Sequence, residues 1–227
     1  MILLAIDSSA ITAGVAVLND GKLISECFVN NSLTHSRTLL PMVKNALSQA
    51  DINLSSIEAI AVNTGPGSFT GIRIGVALAK GLAFSNGIPC CGVSTLESMA
   101  YNFRDENCVV CSSMDARCNQ VYTALFRVDN GKVIRITDDT AISVTELENK
   151  LSEIKEKLYI AGDGAALCYK SFGFKYENMI LPDENRRYQR AYGCGLASVA
   201  HNDFKDSSLL IPVYLRPSQA ERELKNK

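Results

Sequence analysis

The stretch Gly65-Pro66-Gly67-Ser68-Phe69-Thr70-Gly71-Ile72-Arg73-Ile74-Gly75 narrows the possible folds more than any other part of this chain. It follows an apolar run, Ile57 to Val62, that predicts a buried strand, and it leads into a helical pattern reaching about Ser85. Gly65 and Gly67 are free to take positive φ at the turn, and Pro66 fixes its own φ. Ser68 and Thr70 are candidate N-caps. A strand-to-helix junction aims several N–H groups at one spot, which suits a phosphate. Gly71 is followed by Ile72, however, so neither the Walker loop nor the dinucleotide fingerprint is present. Gly71, Gly75, Ala79 and Ala83 recur every four residues as a seam that admits close approach of another helix. The seam reads first as an edge for a partner's helix, second as a helix packed within its own domain, and third as a phosphate cradle.

The flanking pattern extends this junction into a unit. Ile2 to Asp7, Ala13 to Leu18 and Lys22 to Val29 predict three strands, the last two joined by the hairpin turn Asn19-Asp20-Gly21. A helix to Ala50, the strand Ile57–Val62, the glycine junction and its helix follow, giving the order βββαβα of a ribonuclease H-like unit. A short strand near Cys91–Val93 and a helix to about Asn102 complete it. The pattern then restarts: Cys108–Met114, Gln120–Val128 and Lys132–Ile136 predict strands, with Asp129-Asn130-Gly131 as the turn. Ser143–Leu151 predicts a helix, Leu158–Ala161 a strand, Ala165–Phe172 and Ala191–Ala200 helices, and Ile211–Leu215 an extended segment. The run from Gly173 to Arg190 gives no clear element. The expectation is an α/β chain of two ribonuclease H-like lobes, 1–103 and a reduced 104–215, with a polar tail over 216–227.

With 227 residues, 47% of them hydrophobic, the chain can bury a sizeable core. Its net charge of −1 offers no basic field to grip nucleic acid unaided. Met1-Ile2-Leu3-Leu4 meets Asp7 too soon for a signal peptide, and no apolar run is long enough to cross a bilayer, so a cytoplasmic protein with reduced thiols is expected. Among the eight cysteines, Cys108 and Cys111 have a zinc-like spacing. They fall in a strand, where i and i+3 face opposite sides, so no metal site is expected.

The glycine stretch resembles the signature of the TsaB (YeaZ) family, a paralogue of TsaD within the actin-like ATPase superfamily. Three other segments agree: Ile2–Ser9, His35–Val43 and Asp115–Phe126. The likeness runs to Tyr214-Leu215-Arg216. It implies a non-catalytic scaffold for N6-threonylcarbamoyladenosine formation at tRNA position 37. On that reading the chain pairs with TsaD and recruits the ATPase TsaE. It forms a homodimer when alone and meets tRNA only through the complex. Metal and ATP belong to the partners, and this chain has no cofactor of its own. The alternatives are an actin-like nucleotide hydrolase or kinase, a peptidase-like enzyme, or a stand-alone homodimeric interaction protein.

Within that frame, Asp7 and Ser8 end the first strand where actin-like ATPases work near the metal–phosphate, and Gly162 and Gly164 flank the place where adenosine is often received. Both pairs are candidate nucleotide contacts; both also read as plain turns. His35 stands where the paralogue carries the first histidine of HxxxH, but four residues on is Leu39, so no metal is expected. Pro41 predicts a helix starting near itself, with Ser36 or Thr38 as cap and His35 and Arg37 at its mouth. The expected partner surface is His35, Arg37, Leu39, Met42 and Ala46 beside Phe69, Gly71, Ile72, Gly75 and Ala79. Gly75→Leu or Ala79→Leu is then expected to block pairing and spare the fold. Neither histidine lies near a cysteine or serine motif in sequence, and no catalytic residue is assigned.

Overall fold

A computed structural model of the chain describes residues 1–31 and 34–217. The polar-tail expectation lies mostly outside the described residues. The first lobe opens with the meander β1 (Ile2–Asp7), β2 (Ala13–Asn19) and β3 (Lys22–Val29). Asp20 and Gly21 turn the last hairpin with φ of 49° and 75°, the left-handed pair that such a tight turn needs. Next come α1 (His35–Ala50), β4 (Ala59–Gly65), α2 (Phe69–Phe84), β5 (Cys90–Ser94) and α3 (Thr95–Ala100). The sheet order is β3-β2-β1-β4-β5, with β4 parallel to β1 and β5 parallel to β4. Strand β1 is apolar from Ile2 to Ile6 because both its faces are covered. Leu4 and Ile6 pack under α1 and α2, while Leu3 and Ala5 face a helix from the far end of the chain.

The second lobe comprises β6 (Cys108–Asp115), β7 (Gln120–Asp129), β8 (Lys132–Arg135), β9 (Thr140–Ser143), α4 (Val144–Ser152), β10 (Leu158–Ala161), α5 (Ala165–Ser171) and β11 (Met179–Ile180). Its sheet runs β11-β10-β6-β7-β8, with β9 added to β7. Strands β6, β7, β8, β10 and β11 thus occupy the places that β1, β2, β3, β4 and β5 hold in the first lobe. The ribonuclease H-like unit occurs twice, and the second copy is reduced: α1 and α2 have 16 residues each, whereas α4 and α5 have nine and seven. Cys108 and Cys111 face opposite sides of β6, in separate apolar clusters. The stretch from Gly173 to Arg190, unreadable in sequence, holds β11 and α6 (Glu184–Arg187).

A second lobe running continuously over 104–215 needs correction. Helix α7 (Ala191–His201) crosses back to the first sheet, where Ala191, Cys194 and Ala197 pack on Leu3, Ala5 and Ala61. Conversely, Leu96, Met99 and Ala100 of α3 pack on Phe126 and Val110 of the second sheet. Helices α3 and α7 touch each other, so each lobe lends one central helix to its neighbour. Charges tie the same region: Glu97 takes His201 Nε2 at 2.7 Å and Arg135 Nη2 at 3.1 Å.

The glycine seam faces inward. A Cβ on Gly67 would stand 2.2 Å from the Ser9 carbonyl oxygen, one on Gly71 2.1 Å from the Ser8 carbonyl oxygen, and one on Gly75 2.5 Å from Ser8 Oγ. Ser8 Oγ donates to the Gly71 carbonyl at 2.9 Å, and the Ser68 N–H donates to the Ser9 carbonyl at 2.7 Å. Ala79 and Ala83 are fully buried by the same sheet. The expected partner contacts Leu39, Met42, Ala46, Gly71, Ile72, Gly75 and Ala79 are therefore interior residues of this chain. Turning Ile72 and Val76 outward would forfeit about 1.5–3 kcal/mol each, which decides the orientation of α2.

Helix α1 begins at His35, six residues before Pro41, with Thr34 rather than Ser36 or Thr38 at the N-cap. Pro41 sits on the exposed side, where the lost bond to the Arg37 carbonyl faces solvent. Its cost of about 3 kcal/mol is outweighed by five buried side chains, Leu39, Met42, Val43, Ala46 and Leu47, several of them worth about 1.5–3 kcal/mol. Ser68 caps α2 by accepting from the Gly71 N–H. Replacing Gly71 by Ala is expected to cost about 3 kcal/mol, the upper end of overpacking, because its Cβ meets backbone rather than a movable side chain. Urea unfolding midpoints measure this. A stability within about 0.5 kcal/mol of the parent, the range of neutral surface changes, would contradict the inward seam.

Candidate functional site

Two surfaces merit description. The first is a cleft of about 500 Å³ at the carboxyl ends of the two sheets. Ser9, Ala10 and Ile11 line it from the turn after β1, and Pro66 to Phe69 from the glycine junction. Met114 to Arg117 and Asp163 face them from the second lobe, and Val213 to Pro217 close one side. The Gly65–Pro66 bond is cis, and Arg117, Cys118 and Asn119 turn the β6–β7 hairpin with φ of 54–64°.

Asp163 is the cleft's most perturbed group. Burial is the main cause that pushes its carboxyl up to about 6, and the negative charge of Asp115 adds to it. A hydrogen bond from the Asp115 N–H opposes the shift. The flanking glycines, named in the sequence as nucleotide contacts, are instead packing positions. A Cβ on Gly162, where φ is 102°, would stand 2.0 Å from the Ser113 carbonyl oxygen, and one on Gly164 would meet the Met114 backbone at 2.9 Å. They let β10 and α5 close on β6, and Asp163 between them turns to the cleft. Asp7 and Ser8 do not reach it. Asp7 is fully buried, and its Oδ1 accepts from the Ser9 N–H, Ser9 Oγ and Asn63 Nδ2. Burial raises its carboxyl despite those bonds. Ser9, one residue on, lines the cleft instead.

Sequence separation hid a third grouping. His201 Nε2 lies 2.7 Å from Glu97 Oε1, and the neighbouring Cys91 sulfur together with this carboxylate lifts its imidazole to about 10. Burial pushes Glu97 up, but His201 and Arg135 outweigh it and the net shift is down. Cys91 is only 2% exposed and packs under α7, away from the cleft. The imidazole–carboxylate pair acts here as a tie between α7 and α3. Among the described residues, no three acidic, cysteine or histidine side chains are grouped to hold a metal ion.

The second surface is the outer side of α1 and α2, which pack side by side. On α2, Ile74, Ala77, Leu78 and Gly81 recur at helical spacing on the side away from the sheet; Ala77 and Gly81 are exposed and Ile74 and Leu78 half-buried. On α1, Leu40 is 42% exposed and Arg37 and Pro41 are exposed. His35 lies at the start of α1, its Nε2 2.7 Å from the Ala10 carbonyl. Phe69 opens α2, with the Arg73 guanidinium 3.9 Å over its ring. Of the ten residues expected at a partner, seven are buried within this chain, while His35, Arg37 and Phe69 lie at the helix starts.

The family described as "TsaD: tRNA N6-adenosine threonylcarbamoyltransferase" matches residues 30–221. The chain is 34% identical over 235 residues to the tRNA threonylcarbamoyladenosine biosynthesis protein TsaB of Escherichia coli (strain K12), covering all of both chains. The chain belongs to the TsaB family. A second member, the TsaB of Bacillus subtilis (strain 168), is 36% identical over 167 residues, which is 74% of this chain and 73% of that one. The crystal structure of YeaZ from Pseudomonas aeruginosa superposes with a TM-score of 0.75 at 26% identity, over 94% of this chain and 99% of that one. The resemblance noted in the glycine stretch and three further segments therefore extends along the whole TsaB-family chain. No helix among the described residues is long and apolar enough to cross a membrane.

The raised Asp163 carboxyl has a sign that can be checked. Its folded value, about 6, lies above its ordinary value of 3.8, so the folded state favours the protonated form. Its contribution is greatest below pH 4 and is lost as pH rises from about 4 through 6. At pH 7.5 the ionised group is a net cost, trimmed by its partial exposure. Asp163→Asn should raise the thermal midpoint there by about 2–4 °C, the shift that about 1 kcal/mol gives in a chain of this size. The gain should vanish near pH 4. A lower midpoint at pH 7.5 would contradict the assignment.

Proposed function

We propose that this chain serves N6-threonylcarbamoyladenosine formation on tRNA as a non-catalytic subunit that docks a TsaD-type paralogue. The observation that carries the pathway is the full-length relationship to proteins named for that biosynthesis. What supports docking is the outer side of α1 and α2. On the outer side of α2, Ala77 and Gly81 are exposed and Ile74 and Leu78 half-buried, and Leu40 is exposed on the adjoining α1. Two helices laid against a related pair make a four-helix interface, and small residues at 77 and 81 allow close approach. His35, Arg37 and Phe69 lie at the N-terminal ends of these helices, where they frame these residues. The interior residues of the same helices act indirectly, by holding that surface flat.

On this reading the transfer chemistry, with its metal and ATP, belongs to TsaD and to the ATPase TsaE. tRNA is met through the assembled complex in the cytoplasm. In the absence of TsaD, the same face pairs two copies of this chain. The near-neutral net charge of −1 accords with an indirect role toward RNA.

The test uses two exposed positions, so that the fold is spared. Leu40→Arg combined with Ala77→Arg should abolish co-elution with TsaD on size exclusion. Reconstituted tRNA modification should fall more than tenfold, while the circular dichroism spectrum and thermal midpoint stay near the parent's. Undiminished pairing and modification would overturn the docking face. Modification by TsaD and TsaE alone, equal with and without this chain, would overturn the role itself.

A further inference from the structure

Residues 211–217 join neither sheet, yet they touch both lobes. On the first lobe the Val213 N–H donates to the Thr64 carbonyl at 2.8 Å. The Val213 carbonyl oxygen lies 2.3 Å from where a Cβ on Gly65 would stand, so the end of β4 is shaped to receive this segment and no side chain fits between them. The Tyr214 ring stacks on Phe69 with centroids 4.6 Å apart and planes at 27°. Arg73 completes the grip, its Nε donating to the Tyr214 hydroxyl at 2.8 Å. Lys80 Nζ donates to the Ser208 carbonyl at 3.1 Å, so the segment runs antiparallel along α2. On the second lobe, Arg216 Nη1 donates to the Ala116 carbonyl at 3.0 Å. Val213 to Pro217 thereby form one side of the cleft.

We propose that residues 208–217 are an interlobe latch. The first-lobe end is the fixed one: a backbone bond, a ring stack and a guanidinium hold it. The second-lobe end is the releasable one, held among the described residues by the charge-assisted hydrogen bond from Arg216. The lobes pivot about the opposite side, where α3 and α7 are exchanged between the sheets. With the latch closed, the cleft keeps one width; with it released, the Asp115–Arg117 rim swings away from Pro66 to Phe69. The proposal is independent of the docking role, because both anchors lie within this chain.

The test measures interlobe distance directly. Cys118, exposed on the second-lobe hairpin, is one natural spin-label site. Lys44→Cys on exposed α1 supplies the other, and Cys27→Ser removes the partly exposed remaining thiol. In this background, labelled protein diluted into an excess of unlabelled chain should give one narrow distance distribution by double electron–electron resonance. Arg216→Ala should shift it to longer distances and broaden it, and Tyr214→Ala or a chain ending at Leu210 should do so further. Distributions identical to the parent's in folded Arg216→Ala and Tyr214→Ala proteins would overturn the latch. If the shortened chain does not fold, the two point variants decide.

Discussion

The seating of Ser8 and Ser9 in the glycine column of α2 is the contact on which the rest of this structure depends. Three missing side chains, at positions 67, 71 and 75, allow the end of β1 to lie against the helix at distances no Cβ would permit. The serines use that proximity: Ser8 donates to the Gly71 carbonyl, and the Ser9 carbonyl takes the Ser68 N–H. Several consequences follow. Helix α2 lies flat on the sheet, the junction is held beside the turn after β1, and Asp7 is sealed beneath it. At the junction, the Ser68 N–H and the Gly71 carbonyl are taken by the chain's own serines.

This arrangement separates two roles that the glycine stretch had joined. The inner face of α2 belongs to folding, while Ala77 and Gly81 on its outer face are exposed. The same division applies to α1, where Leu39 is buried and Leu40 next to it is exposed. The duplicated second lobe lacks such a pair, since α4 and α5 are short. The lobes are nevertheless bound closely, because α3 and α7 are exchanged and the Glu97–His201–Arg135 cluster ties them across their ends. What remains adjustable is the side holding the cleft.

Much of the fold was legible because its signals are local. The apolar runs, the Asn19-Asp20-Gly21 and Asp129-Asn130-Gly131 turns and the small-residue helix mark most of the strands and helices of both lobes in chain order. The side of a helix is a different matter. A seam of glycine and alanine looks the same whether it admits a sheet or a partner, and only the position of Ser8, 63 residues from Gly71, decides. Pro41 misled for a related reason: its penalty is local, whereas the five buried side chains that outweigh it are tertiary. Asp163 lies between two glycines whose pattern resembles a ligand turn, and its carboxylate, which lines the cleft, is the informative residue there. Neither the grouping of Cys91, His201 and Glu97 nor the reach of Arg216 to Ala116 leaves any trace in sequence spacing.

The claim that the inner sides of α1 and α2 are used for folding and their outer sides for docking is tested most directly by hydroxyl-radical footprinting, read residue by residue with and without TsaD. In the free chain, kept dilute enough to be monomeric, Leu40 and Leu78 should be oxidised while Leu39 and Ile72 are spared, and adding TsaD should protect Leu40 and Leu78. Oxidation of Leu39 and Ile72 in the free chain, lost when TsaD binds, would contradict the account.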